Sequence, residues 1–263
     1  MSQPSAQPPI QAALHFPDQT DLQTPSDVAV VMPTLLRPSL LRAVTSVFEQ
    51  DQAGRIHLMI GVDVAQGPAQ PLLDLLAQRP GHVSATLLHL PYSTSARHGG
   101  VHTALDGGAL RSILSLMANA RWLAYLDDDN TWLPQHLAHL KRAAQGKAWA
   151  FAPRWLVDED TEQRICVDQW DSVGVDRGRF AAQGGFVDTN CLLIDKVVCA
   201  KVLGRWSDSG SGGPGLTADR HFFSGIRQAP HGQTAEATVL YRMRRTNVLW
   251  RFIAQARASS SGT

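Results

Sequence analysis

From Val28 to Ala144 short apolar runs alternate with stretches whose apolar residues recur every three or four positions. The runs Val28 to Met32, Ile56 to Val62, Val83 to Leu90 and Trp122 to Leu126 predict strands. Between them, helical spacing appears at Leu40, Leu41, Val44, Val47 and Phe48 behind Pro38, at Pro71 to Gln78, and at Leu110, Ile113, Leu114 and Met117. A further helix is expected from about Trp132 to Ala144, with Asn130-Thr131-Trp132 reading as its start. The second half is less regular. Ala148 to Val157 and Arg164 to Trp170 are expected to pair around the turn Asp158-Glu159-Asp160, and Asn190 to Ile194 forms a short strand after Gly184-Gly185. Ser207 to Gly215 reads as a mobile loop. Thr217 then caps a helix through Ile226, Glu236 to Arg244 makes a last strand, and residues 247–257 make a short amphipathic helix.

Strand-helix alternation predicts an α/β fold: a Rossmann-like, mainly parallel central sheet flanked by helices, with a smaller mixed region downstream. In such sheets ligands bind beyond the carboxyl ends of the strands. Pro33-Thr34, Asp63 and Asp127-Asp128-Asp129 each follow a predicted strand, so three separate segments place polar groups on one rim. Three adjacent acids are costly to bury and belong at an edge, wet or paired with cations. Residues two apart on an extended chain face the same way, about 7 Å apart, so Asp127 and Asp129 can address one site. A divalent metal carrying a diphosphate suits that pair, since hard cations prefer oxygen ligands.

Composition narrows the setting. A chain of 263 residues, 44% hydrophobic, can bury one sizeable core. A net charge of +1 gives no electrostatic case for nucleic acid. No stretch approaches the roughly 20 apolar residues of a membrane span. Residues 1–26, rich in Gln, Pro, Ser and Ala, lack the features of a secretory signal and read as a disordered leader; 258–263 read as a frayed tail. Cys166, Cys191 and Cys199 form no CxxC pair and suggest reduced thiols in a cytoplasmic protein. The chain is expected to divide into two halves, 27–145 and 146–257, with the rim of acids in the first.

Four segments carry a resemblance: VAVVMPTLLRPSLLRAVTSVFEQ, LRSILSLMANARWLAYLDDDNTWLPQHL, GGFVDTNCLLIDK and TADRHFF. Together the chain resembles family 2 glycosyltransferases, whose fold is the nucleotide-diphospho-sugar transferase fold called GT-A. Arg111, Ala118, Asp127, Asp129, Trp132 and Pro134 fall into the register of the family's acid-cluster segment. Two departures stand out. Ser112 occupies a position where Asn is usual, and Tyr241-Arg242-Met243-Arg244-Arg245 replaces a metal-binding His found in many relatives. His231 is a candidate substitute ligand, and arginine a candidate source of positive charge.

The resemblance implies a metal-dependent, inverting transfer of a sugar from a nucleotide diphosphate sugar to an acceptor hydroxyl, with Mn2+ or Mg2+ as cofactor. Asp129 and Asp127 are the implied metal residues and Asp219 the general base. Pro33, Thr34, Arg37, Asp63, Arg111, Asp127 and Asp128 are expected on the nucleotide-sugar side, and Asp188, Thr189 and Asn190 on the acceptor side. The acceptor is a carbohydrate or a lipid-linked molecule; the apolar Val248 to Ile253 permits peripheral membrane contact. Trp155, Trp170 and Trp206 are candidates for stacking on sugar rings or for core packing. Loop residues His98 and His102 flank glycines that argue against a helical metal pair. Competing readings are a haloacid dehalogenase-like phosphatase using Asp127-Asp128-Asp129-Asn130-Thr131 as DxDxT, a nucleotidyltransferase, and a non-catalytic nucleotide-sugar-binding protein.

Overall fold

The computed structural model describes residues 13–18, 23–104, 107–208 and 217–260. Its strands are β1 (Ala13–Phe16), β2 (Ser26–Thr34), β3 (Ile56–Val62), β4 (Val83–His89), β5 (Ala120–Tyr125), β6 (Thr131–Trp132), β7 (Trp149–Phe151), β8 (Arg154–Asp158), β9 (Arg164–Val167), β10 (Gly174–Val175), β11 (Gly185–Phe186), β12 (Leu192–Asp195), β13 (His231–Gln233) and β14 (Val239–Met243). The helices are α1 (Leu40–Phe48), α2 (Gln70–Ala77), α3 (Gly108–Met117), α4 (His136–Ala143), α5 (Ala218–Ile226) and α6 (Leu249–Ser260). Eight strands form the main sheet in the order β1-β4-β3-β2-β5-β12-β7-β13. Its middle, β4-β3-β2-β5, is parallel, and β12 runs antiparallel between β5 and β7. The α/β class expected from the alternation is the class observed.

β2 and β3 are buried along most of their length, which is why they read as continuous apolar runs. α1 has no side-chain cap bond, so packing holds it: Leu40, Ala43, Val44 and Val47 are buried against the sheet. Each fully buried Leu or Val contributes about 1.5–3 kcal/mol. A smaller sheet, β6-β14-β8-β9, stands beside the main one, and α6 packs Leu249 and Ile253 against Leu156 and Met243 of its strands. The apolar face of Val248 to Ile253 thus docks mainly within the chain. Among the described residues no helix is long and apolar enough to cross a membrane.

Several expectations need correction. Within the expected leader, Ala13–Phe16 pairs antiparallel with β4, from Ala13↔Leu88 to Phe16↔Ala85; the four residues, alternately exposed and half-buried, cover an otherwise open sheet edge. Residues 1–12 and 19–22 lie outside the described residues. Thr131-Trp132 is a strand paired to β14 and not a helix start; α4 begins only at His136, beyond Pro134. Ala148 to Val157 splits at Ala152-Pro153, sending β7 to the main sheet and β8 to the smaller one. The break falls where proline supplies no N–H to a ladder. β13 has no apolar run to announce it. α6 continues to Ser260, so the frayed tail is shorter than expected; 261–263 lie outside the described residues, as does the expected mobile loop from 209 to 216.

Candidate functional site

β2 ends at Thr34, and the chain turns sharply through Leu36, a buried leucine held at φ 60°. The Thr34 hydroxyl donates to Asp128 Oδ2 at 2.7 Å and accepts from the Leu36 N–H at 2.9 Å. The Thr34 carbonyl accepts the Asp63 N–H at 3.0 Å. Thr34 therefore ties together the ends of β2 and β3 and the acid cluster after β5. On the far side, α3 comes so close that a Cβ on Gly107 would sit 2.7 Å from Pro33 Cβ, and Gly107 itself lies at φ 70°.

Around these ends opens a cavity of about 700 Å³, lined by Pro33, Thr34, Leu35, Arg37, Asp63, Gln66, Arg97, His98, Gly107, Arg111, Asp127, Asp128, Asp129 and Arg244. All eight residues expected on the metal and nucleotide-sugar side lie here. Leu35, Gln66, Arg97, His98 and Gly107 were missed. Arg97 and His98 follow β4, so the rule that marked the ends of β2, β3 and β5 also points to them. Arg244 follows β14 and brings the expected arginine to the acids.

The cavity carries four arginines against four aspartates. Arg111 forms an ion pair with Asp127 Oδ1. Arg37 reaches Asp128 at 3.6 Å and Asp129 at 3.5 Å, and Arg244 bonds Asp129 at 3.0 Å. Asp128 is buried and organises the β2 exit. Asp129 has its pKa raised, first by its partly buried setting and then by Asp127 and Asp128, with Arg37 and Arg244 pulling the other way. Asp63 lines the same space.

Among the described residues no three His, Cys, Asp or Glu side chains gather as a metal cage. Of the four aspartates lining the cavity, Asp127 and Asp129 stand two residues apart on the rim, each also paired with arginine. That set fits a hard cation that takes its remaining oxygens from phosphate and water, the usual arrangement for magnesium. His231 is not part of it: it sits on β13, stacked on Trp149 at 4.5 Å. Ser112 faces the Leu203 carbonyl and Ser207 at 2.9 Å each, away from the cavity lining.

The expected acceptor side is largely interior. Thr189 and Asn190 are buried, and Asn190 bonds Asp127 and Asp188, so neither offers open surface to an acceptor. Asp188 keeps some exposure; burial pushes its carboxyl up to about 6, against the pull of Arg154. Asp219 lies in the first turn of α5, outside the cavity lining, and accepts from the Thr217 hydroxyl and from the Arg220 N–H at 2.9 Å. Thr217 holds the N-cap position but makes no side-chain cap bond there. Trp206 is core, stacked on Phe222 at 4.0 Å, and Trp170 stacks on Phe252 at 6.3 Å. Trp155 lies under the Arg164 guanidinium, 5.6 Å from its ring centre.

The fold and site define an α/β protein with a charged cavity at the carboxyl ends of its parallel strands. No family model matches the chain, and no curated protein matches its sequence. Among solved structures it is similar to S. aureus TarS 1-349, with a TM-score of 0.61 and 10% identity, over 82% of this chain and 60% of that one. The complexes of TarS 1-349 with UDP-GlcNAc and with UDP match with TM-scores of 0.60 and 0.59, again at 10% identity, over 84% and 82% of this chain and 60% of each of theirs. The chain thus spans about three-fifths of the TarS segment, and what the two share is the fold.

Proposed function

We propose that this protein transfers a sugar from a nucleoside diphosphate sugar to an acceptor hydroxyl. One observation carries the reading: the cavity gathers Asp63, Arg37, Arg111, Arg244 and the aspartate trio at the strand ends, on a fold that in TarS accompanies UDP and UDP-GlcNAc. Asp63 suits the hydrogen-bond donors of a nucleotide base or ribose. The N-terminus of α3, open to the cavity at Gly107, favours an anion. Arg37, Arg111 and Arg244 supply fixed positive charge where a diphosphate leaving group gathers negative charge. Asp129, with Asp127 beside it, is the proposed holder of Mn2+ or Mg2+, which when bound offsets further charge on that diphosphate. Asp219 is the proposed base, taking the acceptor proton as the hydroxyl attacks the anomeric carbon, so that the configuration inverts. A carbohydrate or lipid-linked acceptor and a cytoplasmic setting complete the reading.

A thermal-shift panel of nucleoside diphosphates, with and without manganese, tests it. A ligand at about 100 times its Kd raises the melting point of a chain this size by roughly 5–10 °C. One diphosphate is expected to do so, more strongly with manganese. A flat response to every diphosphate would remove the donor site.

A further inference from the structure

Asn190 is fully buried, and its side-chain amide bonds two carboxylates and one backbone N–H. Its Oδ1 accepts the Asp127 backbone N–H at 2.7 Å. Its Nδ2 donates to Asp127 Oδ2 at 2.8 Å and to Asp188 Oδ1 at 2.8 Å. Main chain and carboxylate of Asp127 are therefore held by one group, which leaves Asp127 Oδ1 turned towards Arg111. The Asn190 main chain is itself held on both sides. Its N–H donates to Asp188 Oδ1 at 2.9 Å, and its carbonyl accepts from Trp132 Nε1 at 2.9 Å.

Behind it stands Arg154, wholly buried on β8. The guanidinium donates to Asp188 at 2.7 Å, to Asp168 at 2.9 Å and to Asp171 at 3.0 Å, and lies 3.9 Å from the centre of the Tyr241 ring. Asp168 is further held by three backbone N–H groups, from Trp170, Asp171 and Ser172, at 2.9–3.0 Å. A continuous chain of bonds thus runs from the smaller sheet through Arg154, Asp188 and Asn190 to Asp127 on the cavity rim.

We propose that Asn190 is a positioning residue for the donor site: it sets the orientation of Asp127, and the Arg154–Asp188 pair sets Asn190. The inference rests on reading the cavity as a nucleoside diphosphate site. The chemistry demands an amide. Two facing carboxylates need a group that donates to both, and the Asp127 N–H needs an acceptor from the same side chain. Aspartate has the shape of asparagine but no donor when ionised, so it places a third negative charge in the clamp. Alanine merely leaves the partners unmet. If Asn190 only filled space, the isosteric aspartate would be the milder change; if it positions Asp127, aspartate is the harsher one.

Calorimetric titration of UDP, GDP, ADP and CDP into wild type, Asn190→Ala and Asn190→Asp separates these cases. Removing a hydrogen-bond partner that orients a metal-ligating residue typically costs 10- to 100-fold in metal affinity or activity, and a loss of that order is expected here. Asn190→Ala is expected to weaken the bound diphosphate about tenfold and Asn190→Asp more. Wild-type affinity in both variants, or an aspartate variant that binds better than the alanine one, overturns the proposal. If wild type binds none of the four, the function reading itself fails, and this inference with it. Should the aspartate variant not fold, amide exchange at Asp127 in Asn190→Ala decides. Faster exchange at Asp127 supports the clamp, and unchanged protection overturns it.

Discussion

At the residue scale, the aspartates have different work although they share a rim. Asp128 is interior and braces Thr34; Asp127 is clamped by Asn190 and Arg111; Asp129 faces two arginines, and burial and its acidic neighbours raise its pKa. Asp219 stands apart in the first turn of α5, and half of its carboxylate is engaged by Thr217 and Arg220. General-base removal costs about 10²–10⁴-fold in rate. Asp219→Asn is therefore expected to lower sugar transfer by that range while donor affinity, measured by titration, stays within about twofold of wild type. Wild-type turnover would remove Asp219 from the role. The rim residues were legible in the sequence because an acid or Pro-Thr after an apolar run marks a strand end. Asn190 was expected at the start of a strand and on the acceptor side, whereas it lies in the turn Thr189–Cys191 ahead of β12. Its true partner, Asp127, lies 63 positions away, and no local pattern carries that distance.

At the element scale, what the sequence hid was short or paired far away. β6 and β13 have two and three residues, too few for periodicity to register. β1 was hidden in a polar leader, yet it bears a specific contact. His15 Nδ1 and His57 Nε2 meet the same Thr86 hydroxyl, at 2.9 and 2.8 Å. Burial, then the neighbouring His15, pushes His57 down to about 4. The unfolded chain takes up this proton near pH 6.5, whereas the folded chain resists it until about pH 4. The stability tied to neutral His57 is thus full above pH 6.5 and declines as pH falls towards 4, by at most about 3 kcal/mol. His136, buried and pushed down to about 3, adds loss of the same sign, and Asp188 acts in the opposite sense between about 4 and 6. Comparing urea midpoints of wild type and His57→Gln at pH 7.5 and 4.5 cancels those two. The variant is expected to lose less stability on acidification. Equal losses would mean that the β1–β3 contact carries no proton linkage.

At the scale of the whole molecule, the division at residue 145 that the sequence suggests cuts through a shared sheet. β12, from the second half, lies between β5 of the first half and β7, with Leu193 opposite both Ala124 and Ala150. The core runs from Val28 to Val239 without a break, taking in Trp149, Phe186, Trp206 and Phe222. α3 rests on the 3-10 segment Ala200–Ser207, where a Cβ on Gly108 would sit 2.0 Å from the Trp206 carbonyl. A fragment 27–145 would expose the β5 edge and lose the groups that cover Tyr125 and α3. Ser115 and Tyr125, bonded at 3.1 Å, would be open to water on the side that Trp206 and Phe222 now close. Local propensity would still favour its strands and helices, but an unpaired central strand invites association rather than folding. The full chain is expected to unfold in one calorimetric transition, with fragment 27–145 showing no cooperative melt and a tendency to aggregate. Two resolved transitions in the full chain, or a sharp melt in the fragment, would show that the first half folds by itself. The clamp on Asp127 would then be a docking contact between separately folded halves and no longer part of a single core.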